Sequence, residues 1–535
     1  MLQNVVAAFL SDLRERDLDL PLLALLHADE FFDIHFTHGN AEFGKDFLAK
    51  RKSSDGCMEQ WCFQSKAGDI NQSTWRNDVQ GQLLEAATSN LGHPGFDTNL
   101  PRRVALIVTG RLAGNAALAA QDFNENYVHG KLGLAKIEFW TIDVLAERFT
   151  QKTLAALGPQ PDDLRRSGAF LQFHGDALQG KTTAAALETY SQTWLPRDDD
   201  TEVFKVAFEA ALIAQALRQR ERHYEEVHAY LALARALLAM IHDRGSDSEE
   251  LVLLRDAARA GARDACSRFV ASVEPAWRSS KCDLVRSELP GVAEPAHYLV
   301  YCARMVEIVS LAFFWSSEPA TRVTLGKLLD EFVAAEPGAG HPLSDRHVVS
   351  LVWAALVLIA TGRRECATKL IRNATVWLCD RFEDGGGLAS VDADPADEIR
   401  AVFGARFEFV EQAGSRHSFC ACALADLAAF LQDGQLYADV VNDLLATKIA
   451  AQYWQAADTP GQFVVEGEDV VQFMSVRFEE TLPHGDGSYA EHVVTEPAQF
   501  SASKIAGPSW YIGLSLLLRD RYFVRLWQAI VAGSP

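Results

Sequence analysis

Hydrophobic positions along the chain fall into two textures. Through about residue 150, short apolar runs of strand length alternate with stretches of helical spacing. Leu2–Leu26 carries helical spacing. Phe31–Thr37, Asp46–Lys50, Gln60–Lys66, Val104–Thr109 and Ile137–Thr141 are short runs rich in β-branched or aromatic residues and bounded by Gly, Asn or Ser, the signature of strands. Gln80–Thr88 and Ala113–Asn124 read as helices between them. This succession predicts an α/β domain with a central mixed sheet flanked by helices.

After Gly158-Pro159 the spacing becomes helical almost throughout. Apolar residues recur at three and four positions from Phe204 to Val309, as in Val227, Tyr230, Leu231, Leu233 and Leu237. The pattern resumes at Val348–Leu358, Ala367–Phe382, Phe419–Leu431 and Leu436–Gln455, with Gly and Pro clusters such as Pro337-Gly338 and Gly385-Gly386-Gly387 between runs. No fixed repeat period emerges, so an irregular all-α helical array is expected. Gly461–Ser501 breaks the pattern and is expected to form an extended excursion or hairpin.

Length and composition constrain the function. A chain of 535 residues exceeds one hydrophobic core, and 48% apolar with 23% charged residues is ordinary globular composition. No apolar run reaches the roughly 18–20 residues that span a bilayer; the longest, Ser350–Ala360, has the length of a core helix. The N-terminus lacks a basic start and a small-residue cleavage site, and the nine cysteines make no CxxC pairs with zinc spacing. A reduced, cytoplasmic protein without membrane attachment is the expectation. The net charge of −22 argues against a surface that is everywhere a nucleic-acid platform. Residues 1–150 hold 14 Lys/Arg and 20 Asp/Glu, about −6, leaving about −16 for the rest. Contact with nucleic acid would need a local basic strip, and Lys45 with Lys50-Arg51-Lys52, or Arg102-Arg103, are the candidates.

The chemistry-bearing segments are HGNAEFGKDFLAKR, residues 38–51, and EQWCFQSKAGDI, residues 59–70. Strand alternation sets Gln64 and Lys66 on one face, with Trp61, Phe63 and Ser65 on the other. Gly44 permits a close approach before Asp46 opens the preceding strand. Strands about 4.8 Å apart would let the Asp46 carboxylate meet Gln64 and Lys66 at one end of the sheet. A hard divalent cation takes oxygen ligands, which Asp46 and the Gln64 carbonyl can supply, with Glu42 as a second carboxylate. Such a cation polarises a phosphoryl group and acidifies bound water, and a lysine can orient that water or offset developing negative charge.

These motifs resemble the PD-(D/E)xK restriction-endonuclease-like superfamily, in the Mrr-like branch with a D…QxK pattern. The resemblance rests on the ordered series HGxxExGKD, QxKxGDI, a helix bearing Gln80 and Gln82, RRVALIVTG and EFWTIDVLAERF, and covers roughly residues 25–150. It implies a restriction-endonuclease-like fold with Asp46 and Gln64 as metal ligands, Lys66 as the catalytic lysine, Mg2+ or Mn2+ as cofactor and Glu42 and His38 at flanking positions. Lys45 stands where the family's proline is expected, and Gln64 replaces an acid, which weakens metal affinity. The resemblance further implies an endonuclease acting on DNA, double-stranded rather than single-stranded, in bacterial defence against phage or foreign DNA.

On this reading residues 1–155 form the nuclease domain, 156–200 a connection and 201–535 a helical sensor, regulatory or oligomerisation region with an extended excursion near 461–501. That region would engage a partner protein or activating ligand, and a homo-oligomer would suit cutting of both strands. Two alternatives stand beside it: a catalytically degenerate scaffold, and a nucleotide-regulated switch. The switch would use Gly175–Thr182, a literal GxxxxGK[ST], although the preceding AFLQFH is a doubtful strand. His484, Asp486 and His492 read more simply as a solvent loop than as metal ligands. Cys420 and Cys422, and Trp353, Trp377, Trp454 and Trp510, read as helix-packing residues.

Overall fold

The computed structural model describes most of the chain. Outside the described residues lie 38–44, 196–202, 281–294, 391–397, 401–416, 457–470, almost all of 477–535, and shorter pieces chiefly near the N-terminus and at 157–160. The chain divides into two compact units. One comprises Met1–Thr182, Pro196–Arg222 and Arg244–Ala258; the other comprises Thr183–Leu195, His223–Asp243 and Arg259–Pro535.

The first unit is built on a five-stranded mixed sheet. Its strands are β1 (Phe32–Phe36), β2 (Phe47–Lys52), β3 (Met58–Lys66), β4 (Arg102–Val108) and β5 (Glu138–Trp140), in that spatial order. β1–β2 and β2–β3 pair antiparallel, whereas β3–β4 and β4–β5 pair parallel. Every β3 residue from Gln60 to Ser65 is buried, as expected of a central strand covered on both faces. On one face Leu48, Cys62, Val104, Leu106 and Val108 pack with Trp75, Val79, Leu83 and Ala86 and with Ala116, Ala120 and Phe123. These partners come from the Gln80–Thr88 helix with its π-helical lead-in Trp75–Val79, and from the Asn115–Asp122 helix with its π-helical continuation Phe123–His129. The other face carries an aromatic cluster. Phe31 meets Trp61 and Phe63 edge-on at 5.4 and 5.5 Å, and Trp140 lies 5.5 Å from Phe63. Each such pair adds roughly 0.5–1.5 kcal/mol beyond the apolar area it buries.

The C-terminus of one covering helix is closed by cations. Arg102 Nη1 donates to the carbonyls of Ala87 and Ser89 at 2.9 and 3.0 Å, and Lys45 Nζ donates to Glu85 O at 3.4 Å. Both satisfy carbonyls at the negative end of the Gln80–Thr88 helix. The helix Asp19–Ala28 is buried from Leu20 through Leu26 and packs on Val203–Gln219 of the same unit. Val6, Ala7 and Phe9–Ser11 are helical as well, so helix is found toward both ends of the Leu2–Leu26 spacing.

The second unit is helical with one small sheet. Its hub is Val348–Ala360, buried at every position through Ile359. Pro295–Trp315 and Arg364–Glu383 pack against this hub, and Phe419–Phe430 and Gly434–Ala446 pack against Arg364–Glu383. Within Pro295–Trp315, the 19 residues His297–Trp315 are long and apolar enough to cross a bilayer by length and composition. Arg304 and Glu307 interrupt the run in sequence, and 78% of the window is buried within the protein. The all-α expectation is corrected by the sheet β6 (His417–Ser418), β7 (Ala450–Ala456) and β8 (Val471–Val476). The helical spacing read through Leu436–Gln455 stops at Ala446, because Lys448 adopts a left-handed conformation at φ 57° and turns the chain into β7. β8 pairs antiparallel with β7 inside the segment expected to be extended, and the rest of 461–501 lies outside the described residues.

Polar groups are buried in both units. In the second, Glu307 accepts from Ser350 Oγ at 2.6 Å, and Glu226 pairs with Arg268 at 2.7 Å. In the first, His174 of the Pro161–Leu178 helix stacks on Phe170, and burial pulls its pKa down to about 4. The folded value lies below the unfolded value of 6.5, so the neutral imidazole contributes stability that is present above pH 6.5 and lost as pH falls toward 4. Urea denaturation at pH 7 and pH 4.5 should show roughly 2–3 kcal/mol less acid destabilisation in His174→Gln than in the wild type.

Candidate active site

The site forms where the β2–β3 ladder ends. The last antiparallel pair is Phe47 opposite Phe63, and the next rung would set Lys45 opposite Ser65. The Lys45 carbonyl instead accepts from Thr37 Oγ1, while Asp46 N–H donates to Phe63 O at 2.8 Å. Ser65 N–H is thereby left without its ladder acceptor, and a buried amide must find another. It finds the Asp46 carboxylate, at 2.6 Å to Oδ2.

Two further donors converge on the same oxygen. Gln64 Nε2 lies 2.7 Å from Asp46 Oδ2 and Ser65 Oγ lies 2.9 Å from it. The amide orientation of Gln64 follows from this partner, since the reverse would set an amide oxygen against a carboxylate oxygen. Its Oε1 is buried and has no hydrogen-bond partner among the described residues. Asp46 Oδ1 likewise receives no hydrogen bond among them. The carboxylate is therefore held through one oxygen, and two oxygens remain without donors. Asp46 is 4% exposed and Gln64 3%.

Lys66 closes β3, two residues beyond Gln64, half-buried and opposite Val108 on β4. Asp46, Gln64 and the start of Lys66 thus belong to one end of the sheet, and Gln64 is in direct contact with Asp46. Ser65 is the residue that strand alternation missed. Alternation sets its side chain opposite Gln64, yet both side chains reach the same carboxylate oxygen, because Asp46 lies just before β2 and the register distorts there. Glu42 and His38 lie outside the described residues.

Among the described residues no group of three or more His, Cys, Asp or Glu is arranged to hold a metal ion. The donor set at Asp46 is a carboxylate oxygen and an amide oxygen, and the unpartnered, buried Gln64 Oε1 is the kind of atom a hard cation would satisfy. As oxygen donors, Asp46 and Gln64 are of the chemical kind that suits a divalent cation.

The expected basic strip is corrected. Lys45 is fully buried, its amine 5.8 Å from the Phe96 ring, and burial holds its pKa below the ordinary lysine value. Lys50 pairs with Asp33, Arg51 lies over the Phe31 ring, Arg102 caps a helix, and Arg103 pairs with Glu138 at 3.2 Å. Of these six cations, Lys52 is the exposed one. The other five are engaged within the fold.

Gly175–Thr182 is likewise corrected as a phosphate loop. The Pro161–Leu178 helix, rather than a strand, precedes it and includes Gly175 and Asp176. Gly180, at φ 70°, ends the helix with Lys181 N–H on Asp176 O and Gly180 N–H on Ala177 O, a left-handed helix cap. Arg222 donates to the carbonyls of Gly180 and Thr182, and the next helix starts only at Ala184, capped by Thr183. The glycines that spell a nucleotide motif are helix-terminating residues. His484, Asp486 and His492 lie outside the described residues. Cys420, Cys422 and Trp353 are buried in helices, and Trp510 stacks on Trp315 at 4.3 Å.

Asp46→Ala removes the acceptor of three donors and should lower stability by roughly 2–4 kcal/mol. Asp46→Asn, which keeps a carbonyl oxygen, should cost clearly less, as measured by thermal or urea denaturation. Millimolar Mg-ATP or Mg-GTP should leave the melting temperature unchanged in wild type and in Lys181→Ala alike. No family model, no curated protein and no solved structure matches this chain.

Proposed function

We propose that residues 1–155 form a restriction-endonuclease-like domain of the Mrr-like type, and that the protein is a metal-dependent endonuclease hydrolysing DNA. The observation that carries this reading is the direct contact of Asp46 with Gln64 at the end of a central strand that terminates in Lys66. The sheet around it, antiparallel through β1–β2–β3 and parallel through β3–β4–β5, is compatible with such a fold. Asp46 and Gln64 would hold Mg2+ or Mn2+ through carboxylate and amide oxygens. When bound, the cation supplies positive charge that polarises a phosphoryl group and acidifies water. Lys66 donates to the phosphoryl oxygens as negative charge develops on them, or orients the attacking water. The Asp46 carboxylate needs no reorganisation for this task, because its hydrogen bonds already fix it.

Double-stranded DNA is the substrate on this reading, with a homo-oligomer supplying one site per strand. The helical region restrains or releases the nuclease in response to a partner protein or ligand, and the role is defence against phage or foreign DNA. These elements rest on the sequence resemblance. A non-enzymatic scaffold is the second reading. It is favoured by the engagement of the basic residues within the fold and by the structural task that Asp46 performs at the ladder end.

Plasmid cleavage with Mg2+ or Mn2+ separates the two. Wild type should nick or linearise the plasmid, and Asp46→Asn and Lys66→Ala should each cut at least about 100-fold more slowly. Equal cutting by all three would remove the site, and an inert wild type with both metals would favour the scaffold.

A further inference from the structure

Ser65 has no part in the D…QxK pattern, yet it makes two of the three hydrogen bonds that hold Asp46. It is 1% exposed, so its hydroxyl is not exchanging partners with bulk water. Both of its donors, with Gln64 Nε2, reach Oδ2. An oxygen that already accepts three hydrogen bonds has no lone pair left for a cation. Oδ1 and Gln64 Oε1, by contrast, accept none among the described residues.

We propose that Ser65 is the positioning residue of this site: by donating its N–H and Oγ–H to Oδ2, it turns Asp46 so that Oδ1 and Gln64 Oε1 are the oxygens offered to a divalent cation. The inference rests on the metal site in the proposed function, but not on DNA being cut there. Its physical logic is that of groups one step out from a metal ligand, whose hydrogen bonds fix the ligand's orientation and basicity. The Ser65 N–H belongs to the main chain and survives substitution by any residue but proline. The hydroxyl is the variable part, and it decides whether the carboxylate keeps one oxygen clear or rotates about its Cβ–Cγ bond.

The test uses the full-length protein and Mn2+ alone, with binding followed by the electron paramagnetic resonance signal of the free ion. Ser65→Ala should bind Mn2+ about tenfold or more weakly than wild type. It should do so with a cooperative melting transition retained, and Ser65→Thr should restore binding toward the wild-type value. If Ser65→Ala binds Mn2+ within twofold of wild type, the hydroxyl only closes a sheet ladder and the proposal falls. It falls also if wild type takes up no Mn2+ at millimolar concentration. Ser65-dependent Mn2+ binding by a protein that never cuts DNA would uphold this inference and overturn the nuclease reading. Metal-dependent cutting with Mn2+ binding unchanged in Ser65→Ala would do the reverse.

Discussion

Three hydrogen bonds to a single carboxylate oxygen determine how the end of the central sheet is built. β2 and β3 pair regularly up to Phe47 and Phe63, and there the rungs run out. The backbone that would have continued β2 turns to Thr37 instead, and Asp46 Oδ2 takes the Ser65 amide that would otherwise be buried without a partner. Gln64 and Ser65 Oγ complete the set. Buried charge is tolerated here because several donors meet it, and the same bonds fix the direction in which the other oxygen can act.

The neighbouring residue shows the constraint from its other side. Lys45 is carried fully inside, where its amine reaches the carbonyl end of the Gln80–Thr88 helix alongside Arg102. Consecutive residues thus do separate tasks: Lys45 helps tie a covering helix to the sheet, and Asp46 closes the ladder. The engagement of Lys50, Arg51 and Arg103 with Asp33, Phe31 and Glu138 follows the same economy, with cations used inside the fold.

Strands and helices of the first unit were legible because their patterns are local. All five strands appear within a few residues of the apolar runs, and Gln80–Thr88 is helical, although its helix begins eight residues earlier, at Gln72 behind the Asn71 cap. The fate of the charged side chains was not legible. Sequence gives no sign that Lys45 is interior or that Arg102 caps a helix, since both depend on segments about 40 and 15 residues away. Alternation assigns Ser65 to the far face, and only the register change at Asp46 brings its hydroxyl to the carboxylate. The GxxxxGK[ST] spelling, with its doubtful preceding strand, has a local explanation: Gly180 ends a helix through its positive φ, a need that a phosphate loop shares. In the second unit helical spacing continued past Ala446 in sequence, and the left-handed Lys448 was what redirected the chain into a strand.

In the proposed function, Asp46 Oδ1 and Gln64 Oε1, which accept no hydrogen bond among the described residues, would be the oxygens offered to a divalent cation at the end of β3. A crystal of the protein soaked in Mn2+, with anomalous diffraction recorded at the manganese edge, tests it most directly. A peak between Asp46 Oδ1 and Gln64 Oε1, with Oδ2 still held by Ser65, is the result expected. No peak at that position in millimolar Mn2+, or manganese bound only elsewhere, would contradict the account.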